Sequence, residues 1–343
     1  MSSNIQILRS PKKAAYGSAG ALLLFVALAI APKILDQSIT NEWVKLFYLV
    51  TLASMWNLLA GYAGMISVGQ QAFIGLGAYG VFVFNDHGFS AYESGIIASI
   101  VVGVVAVPIS FLAFRLRGGY FAIGTWVIAE TLRLIIIRFP SLGSGKGRNI
   151  QNYTRDPILR NTYTYWMALG VAIFALSACF ILLRSRFGLA LQSIRDNEVA
   201  ANSLGIKVDF TKRVVYVIGA MGCAAAGSVI CIQSIGVASP NAIFGVSYSA
   251  FMIFMVLIGG IGTIEGPVMG ALLYFFVDKY FSQSGLWYLV ILGVIAIIAT
   301  LFFPKGIWGE INARWNLSLF PVSYQVKIEN NQNDSIHLSK KEK

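Results

Sequence analysis

Few side chains in these 343 residues have the type and spacing for chemistry. Glu130 and Arg133 stand inside an apolar run from about Tyr120 to Ile137. A charge at the centre of a bilayer costs ~2.5–3.5 kcal/mol even on the mildest scale. Two charges three residues apart share a helix face and can pair. Two readings stay open: a polar element of a transport path, or a structural ion pair that locks two helices. A second constellation is Gly69-Gln70-Gln71-Ala72-Phe73-Ile74-Gly75-Leu76-Gly77-Ala78-Tyr79. Its glycines permit close helix approach or unwound backbone, and the amides of Gln70 and Gln71 can replace water around a polar solute. The competing reading is packing through small residues.

A third constellation is the break Gly259-Gly260-Ile261-Gly262-Thr263-Ile264-Glu265-Gly266-Pro267 inside the apolar stretch from Phe244 to Val277. Pro267 has no N–H to donate and disfavours helix at Gly266. Four glycines make one continuous helix a poor solution. Gly77-Ala78 near Tyr79 and Gly270-Ala271 near Tyr274 form a short echo between the two glycine regions. Interrupted spans in both halves are a pointer to a transporter site. The fourth is Arg195-Asp196-Asn197-Glu198-Val199-Ala200-Ala201-Asn202-Ser203-Leu204-Gly205-Ile206, within the loop Arg184 to Arg213. Asp196 is expected to cap a short helix, with Glu198 in its first turn and Gly205 as its stop. Val199, Ala200, Ala201 and Leu204 give it a small apolar face suited to a groove on a soluble partner. The alternative is an ordinary solvated loop.

Other chemistry is not supported. Gly143-Ser144-Gly145-Lys146-Gly147 imitates a phosphate loop, but Pro140 stands where the first glycine belongs and Gly147 replaces the hydroxyl residue. Cys179, Cys223 and Cys231 fall in apolar segments without CxxC spacing, and His87 and His337 lie far apart. No triad, carboxylate dyad or metal cluster emerges, so no cofactor is expected.

The elements that must carry these residues are membrane helices. The chain is 57% hydrophobic and 12% charged, whereas a globular chain carries about a quarter charged residues. Lipid is the natural solvent for it. The net charge of +11 could suggest nucleic acid, but the basic residues sit in short gaps between apolar runs, as orientation charges do. Expected spans run from about Ala14 to Ile34, Val44 to Ala60, Met65 to Phe84, Gly95 to Phe114, Tyr120 to Ile137, Tyr165 to Leu183 and Val214 to Ile235. The broken stretch Phe244 to Val277 and Leu286 to Phe303 follow. The first run resembles a signal peptide after Arg9, Lys12 and Lys13, but its length makes it a span.

The fold class expected is an all-α polytopic transmembrane bundle with about 8–10 segments, some broken or re-entrant. Residues 1–13 form a cytoplasmic terminus, 14–315 the membrane domain with its loop 184–213, and 316–343 a polar, flexible tail. Basic gaps put both termini inside. Two points strain that topology. The outer gap Phe139 to Thr164 carries Lys146, Arg148, Arg155 and Arg160. The broken stretch must start and end outside, which requires a hairpin of two short crossings.

From about Trp43 to Glu310 the sequence resembles the permeases of branched-chain amino acid ABC transporters. The resemblance is carried by Trp56-Asn57-Leu58-Leu59-Ala60-Gly61-Tyr62-Ala63-Gly64 with Ser67-Val68-Gly69-Gln70-Gln71-Ala72-Phe73, and by Leu116-Arg117-Gly118-Gly119-Tyr120-Phe121-Ala122-Ile123 with Ala129-Glu130-Thr131-Leu132-Arg133. Ser185-Arg186-Phe187-Gly188, the Arg195–Ile206 run, the glycine break and Phe303-Pro304-Lys305-Gly306-Ile307-Trp308-Gly309 complete it. The resemblance implies a second permease subunit, two cytoplasmic ATPase subunits and a periplasmic binding protein. It implies that Asp196–Gly205 is the helix that couples to the ATPase. Leucine, isoleucine and valine are the usual cargo, and urea and short amides are carried by close relatives. The chain departs from the family at Lys146 and Arg148, where a basic outer loop suits an acidic binding protein or an anionic solute. A self-sufficient secondary transporter with Glu130 and Arg133 as an ion-coupled pair is the alternative.

Overall fold

The computed structural model describes the backbone of residues 4–8, 20, 25–145, 148–150, 154, 156–234, 239–282, 286–303, 305–315 and 325–329. Most of the first expected span lies outside these residues. Its end is a helical run over 25–30 and a 3-10 turn Ala31–Lys33.

The membrane helices follow in order. Helix α1 is Gln37–Asn57, prolonged by a π turn Leu58–Tyr62. Then come α2 (Gln71–Asp86), α3 (Ala91–Ala113), α4 (Gly119–Arg138) and α5 (Pro157–Arg184). Two short helices, α6 (Arg186–Asp196) and α7 (Glu198–Ser203), precede α8 (Val208–Gln233). The last are α9 (Pro240–Ile243), α10 (Ser247–Gly259), α11 (Glu265–Phe281), α12 (Leu286–Phe302) and α13 (Gly306–Trp315). Among the described residues six helical stretches are long and apolar enough to cross a membrane. Helices α2, α11 and α12 are apolar but shorter. The all-α polytopic bundle is therefore the architecture. Among the described residues two strands pair as an antiparallel ribbon, β1 (Asn4–Leu8) with β2 (Gln325–Glu329). The ribbon pairs residues 4–8 with residues 325–329.

Of the six membrane-length stretches, those of α1 and α8 are the most buried. Without a hydrophobic force between helices in lipid, close packing and hydrogen bonds must hold the bundle. Helix α8 supplies both. Its Ala224-Ala225-Ala226-Gly227-Ser228 run is buried. A side chain at Gly77 would strike the Ala224 carbonyl, and one at Gly227 would strike that of Ile74. The Ser228 hydroxyl lies 3.1 Å from the Gly77 carbonyl oxygen and 3.4 Å from that of Gly95. One residue thus ties three helices.

The bundle has a basic end and an opposite end. The basic end gathers the π turn, α6, α7, the α10–α11 break and the start of α13. At the opposite end Lys279 pairs with Glu42 at 2.6 Å, and Gln233 donates to the Asn41 carbonyl at 2.8 Å. Arg148 grips Asp86 there through two bonds of 2.6 and 2.7 Å.

Two expected spans differ in detail. The third does not start at Met65: residues 64–70 are non-helical, and α2 begins at Gln71. Gly64 has a positive φ of 68°, which breaks the helix. The segment is paid back in hydrogen bonds. Trp56 Nε1 donates to the Ser67 carbonyl at 2.8 Å, and Val68 N–H donates to Thr125 Oγ1 at 3.2 Å. Hydropathy cannot tell buried irregular backbone from helix, since both are apolar. The broken stretch is the expected hairpin, but Gly266 and Pro267 are inside α11. A proline in a first helical turn gives up an N–H that has no intrahelical partner anyway.

Candidate functional site

The break between α10 and α11 is built from Gly260 to Ile264. Gly260 and Gly262 have φ of 127° and 78°, conformations that favour glycine. Thr263 closes it: its hydroxyl donates to the Gly260 carbonyl at 2.9 Å and accepts from Gly266 N–H at 3.0 Å. Glu265 opens α11 in its first turn, where a helix dipole favours negative charge. Side chains at Gly259 and Gly270 would collide with the facing backbone of the hairpin.

Asn57, near the end of α1, holds this break from the side. Its Oδ1 accepts from Gly262 N–H at 2.8 Å, and its Nδ2 donates to the Thr263 carbonyl at 2.7 Å. Gly61 lies against the same point: a Cβ there would stand 2.6 Å from the Gly262 nitrogen. Arg195, in the last turn of α6, donates from Nη1 to the Gly61 carbonyl at 2.8 Å. The start of α13 packs on Gly260 through Gly306, whose φ is 71°.

Helix α7 projects from this assembly. Asn197 caps it, its Oδ1 accepting from Ala200 N–H at 3.0 Å. The expected cap, Asp196, is instead the last residue of α6. Asn197 has extended backbone (φ −157°, ψ 106°), which a cap needs, whereas Asp196 is helical. Gly205 stops the helix as expected, with φ 84° and its N–H on the Asn202 carbonyl at 3.0 Å. Ala201 is buried and Ala200 exposed. Val199 and Leu204 point outward, 77% and 79% exposed. Lys212 anchors Glu198 at 2.6 Å. Beside α7 lies a cleft of about 640 Å³ lined by Arg117, Glu198, Asn202, Lys207, Asp209 and Arg213.

Gln70, Gln71 and Phe73 are not at this point. All three are buried in the chain. Ser249 of α10 bonds Gln71 Oε1, and Phe73 meets the Tyr216 ring edge-on at 5.5 Å. Gln70 Nε2 lies 3.5 Å from Ser67 Oγ, and its Oε1 has no hydrogen-bond partner among the described residues.

Glu130 and Arg133 are elsewhere again, on α4. Arg133 Nε lies 3.0 Å from both carboxylate oxygens of Glu130, and Arg133 Nη1 bonds Asn241 of α9. The pair is not enclosed: the Glu130 side chain is 47% exposed. Ile123, Val127 and Leu134 extend the same exposed stripe. The basic loop between α4 and α5 is less free than its charge suggested, since Arg148 bonds Asp86 and the Ser141 carbonyl, each at 2.6 Å. Lys146 and Arg155 lie outside the described residues.

This architecture has counterparts among known proteins. A family model described as "Branched-chain amino acid transport system / permease component" matches residues 38–300. The chain belongs to this permease family. It is 24% identical over 313 residues to the high-affinity branched-chain amino acid transport system permease protein LivM of Salmonella typhimurium, covering 83% of this chain and 73% of that one. It is 26% identical over 299 residues to LivH of Escherichia coli, a permease protein of the same description, covering 78% and 95%. The xylose transport system permease protein XylH of Escherichia coli is 29% identical over 138 residues, 38% of this chain and 35% of that one.

The permease is thus a multi-pass membrane transport component. Its break and its projecting helix, read apart in the sequence, meet at Arg195 in space. The residue that joins them on the membrane side, Asn57, carried no role in the sequence reading. An amide at the end of the mostly apolar run 46–60 was the available signal.

Proposed function

We propose that this permease is one of two membrane subunits of an ATP-driven inner-membrane importer for branched-chain or similar small amino acids. The cargo is inferred from the names of LivM and LivH. The basic end faces the cytoplasm, in keeping with the positive-inside rule. There α7 docks in a groove of a separate ATPase subunit. A binding protein delivers solute at the opposite end, and the α4 stripe faces the second permease subunit across the path.

The observation that carries this reading is the projecting α7. It offers Val199 and Leu204 to solvent beside a mixed-charge cleft, while Ala201 and the Glu198–Lys212 pair fix it to the bundle. A secondary carrier has no use for such a stub. The α4 stripe supports the same reading. A half-exposed carboxylate within a membrane-length helix cannot face lipid cheaply.

The test replaces both apolar side chains of the stub. Val199→Asp with Leu204→Asp leaves the permease folded, because neither side chain is packed. Copurification with its ATPase is expected to be lost, and leucine uptake by proteoliposomes with it. Uptake by the permease alone, without any ATPase, would sink the proposal. A panel of leucine, isoleucine, valine, urea and short amides then fixes the cargo.

A further inference from the structure

Three helix ends meet around one guanidinium. A helix C-terminus leaves its last carbonyls without partners and carries a partial negative charge. Helix α1 with its π turn ends at Tyr62, α10 ends at Gly259, and α6 ends at Asp196. Arg195 stands among them. Its Nη1 bonds the Gly61 carbonyl at 2.8 Å and would lie 3.2 Å from a Cβ on Gly262. Its Cγ would lie 3.5 Å from a Cβ on Gly64, which has φ 68°. Two glycines from distant parts of the chain, Gly64 and Gly262, therefore make room for one side chain, and Gly61 supplies its acceptor. Asn57 completes the contact by gripping Gly262 N–H and the Thr263 carbonyl with both ends of its amide.

We propose that Asn57 and Arg195 are positioning residues that make the π turn, the α10–α11 break and the α6–α7 stub move as one unit. The two interrupted membrane segments touch each other backbone to backbone at Gly61 and Gly262, so a displacement of either is felt by the other. Arg195 adds the third member. It is covalently part of α6, one residue before Asp196 and two before the Asn197 cap of α7. A push on α7 reaches the Gly61 carbonyl through one side chain, and the break through Asn57. This rests on α7 being the ATPase dock, but the joint itself does not.

Hydrogen exchange of the full chain in lipid nanodiscs tests the joint without any ATPase. In Arg195→Ala, amides in 58–64 and in 260–266 are expected to exchange about ten-fold faster, the scale of one lost charge-assisted hydrogen bond. In Asn57→Leu only 260–266 should accelerate. Exchange in α8 around Gly227 should stay at the wild-type rate in both. Wild-type exchange in 58–64 and 260–266 of Arg195→Ala overturns the proposal, as does a rise spread over α8. The second arm uses the complex with its ATPase, trapped by vanadate with ADP. In the wild type both stretches should change together on trapping. In Asn57→Leu the response should persist in 58–64 and weaken in 260–266; without vanadate, ATP hydrolysis should continue while solute moved per ATP falls at least several-fold. A preserved joint response in Asn57→Leu overturns the proposal. Failure of any ATPase to bind would refute the docking reading alone, since the first arm still decides the joint.

Discussion

Arg133 without Glu130 would be a cation in a membrane helix, held by Asn241 and facing outward from the chain. Glu130 without Arg133 would be an anion in the same place. Either residue alone carries the desolvation cost of a charge that no longer has its mate. Glu130→Gln and Arg133→Gln are therefore each expected to lower the melting temperature of the detergent-solubilised permease and to cut uptake about ten-fold. The double replacement should recover much of both losses, since it removes the stranded charge. Melting curves and proteoliposome uptake check this. A double variant as inactive as the singles, but with restored melting, would instead assign the charges to the solute path. The pair itself was legible, because a spacing of three puts two side chains on one face. Asn241 was not, since nothing in a sequence separation of 108 residues signals the contact. The contacts of Asn57 were illegible for the same reason. Its partners at Gly262 and Thr263 are two hundred residues away, and only folding brings them within 2.8 Å.

At the scale of elements, the bundle depends on helices that approach through glycine. Gly77 on α2 faces the Ala224 carbonyl, and Gly270 on α11 faces the Met255 carbonyl. A methyl group at either site has backbone in its way, and backbone cannot rotate aside as a side chain can. Gly170 in α5 has open space instead, with nothing within 4 Å of a Cβ. Gly77→Ala and Gly270→Ala are expected to destabilise by roughly 1–3 kcal/mol, the range for overpacking. Gly170→Ala should be neutral or slightly stabilising, because alanine costs less than glycine in a helix interior by up to ~1 kcal/mol. Thermal unfolding of the three variants, read side by side, separates tight approach from glycine content. Equal melting of all three would contradict the packing described. The hairpin of α10 and α11 was legible, since four glycines and a proline within nine residues rule out a continuous helix. Helix α6 was not, because the basic charge of residues 184–213 reads as a loop between spans. Its apolar positions Leu191 and Ile194 are buried against the bundle, and that tertiary support overrides weak local preference.

At the scale of the whole molecule, one stripe of α4 is left exposed among the described residues. Helix α4 presents Ile123, Val127, Glu130 and Leu134, spaced i, i+4, i+7 and i+11, as a single exposed stripe. An apolar stripe alone could sit against lipid. One with a carboxylate in its middle could not without paying for it, so water or protein must lie opposite. The three native cysteines are buried and leave the surface free for a reporter thiol. Val127→Cys, paired with a cysteine at the matching position of the companion permease, is expected to form a cross-link in native membranes. Val104→Cys on α3, equally apolar and 67% exposed but with no charge beside it, should be modified by a lipid-soluble maleimide instead. Were Val127→Cys to react with the lipid-soluble reagent and fail to cross-link, α4 would be an outer helix. The Glu130–Arg133 pair would then be a local device for carrying charge past lipid, and the path would have to run between α1, α8 and α11, where Asn57 and the break already bring polar backbone together.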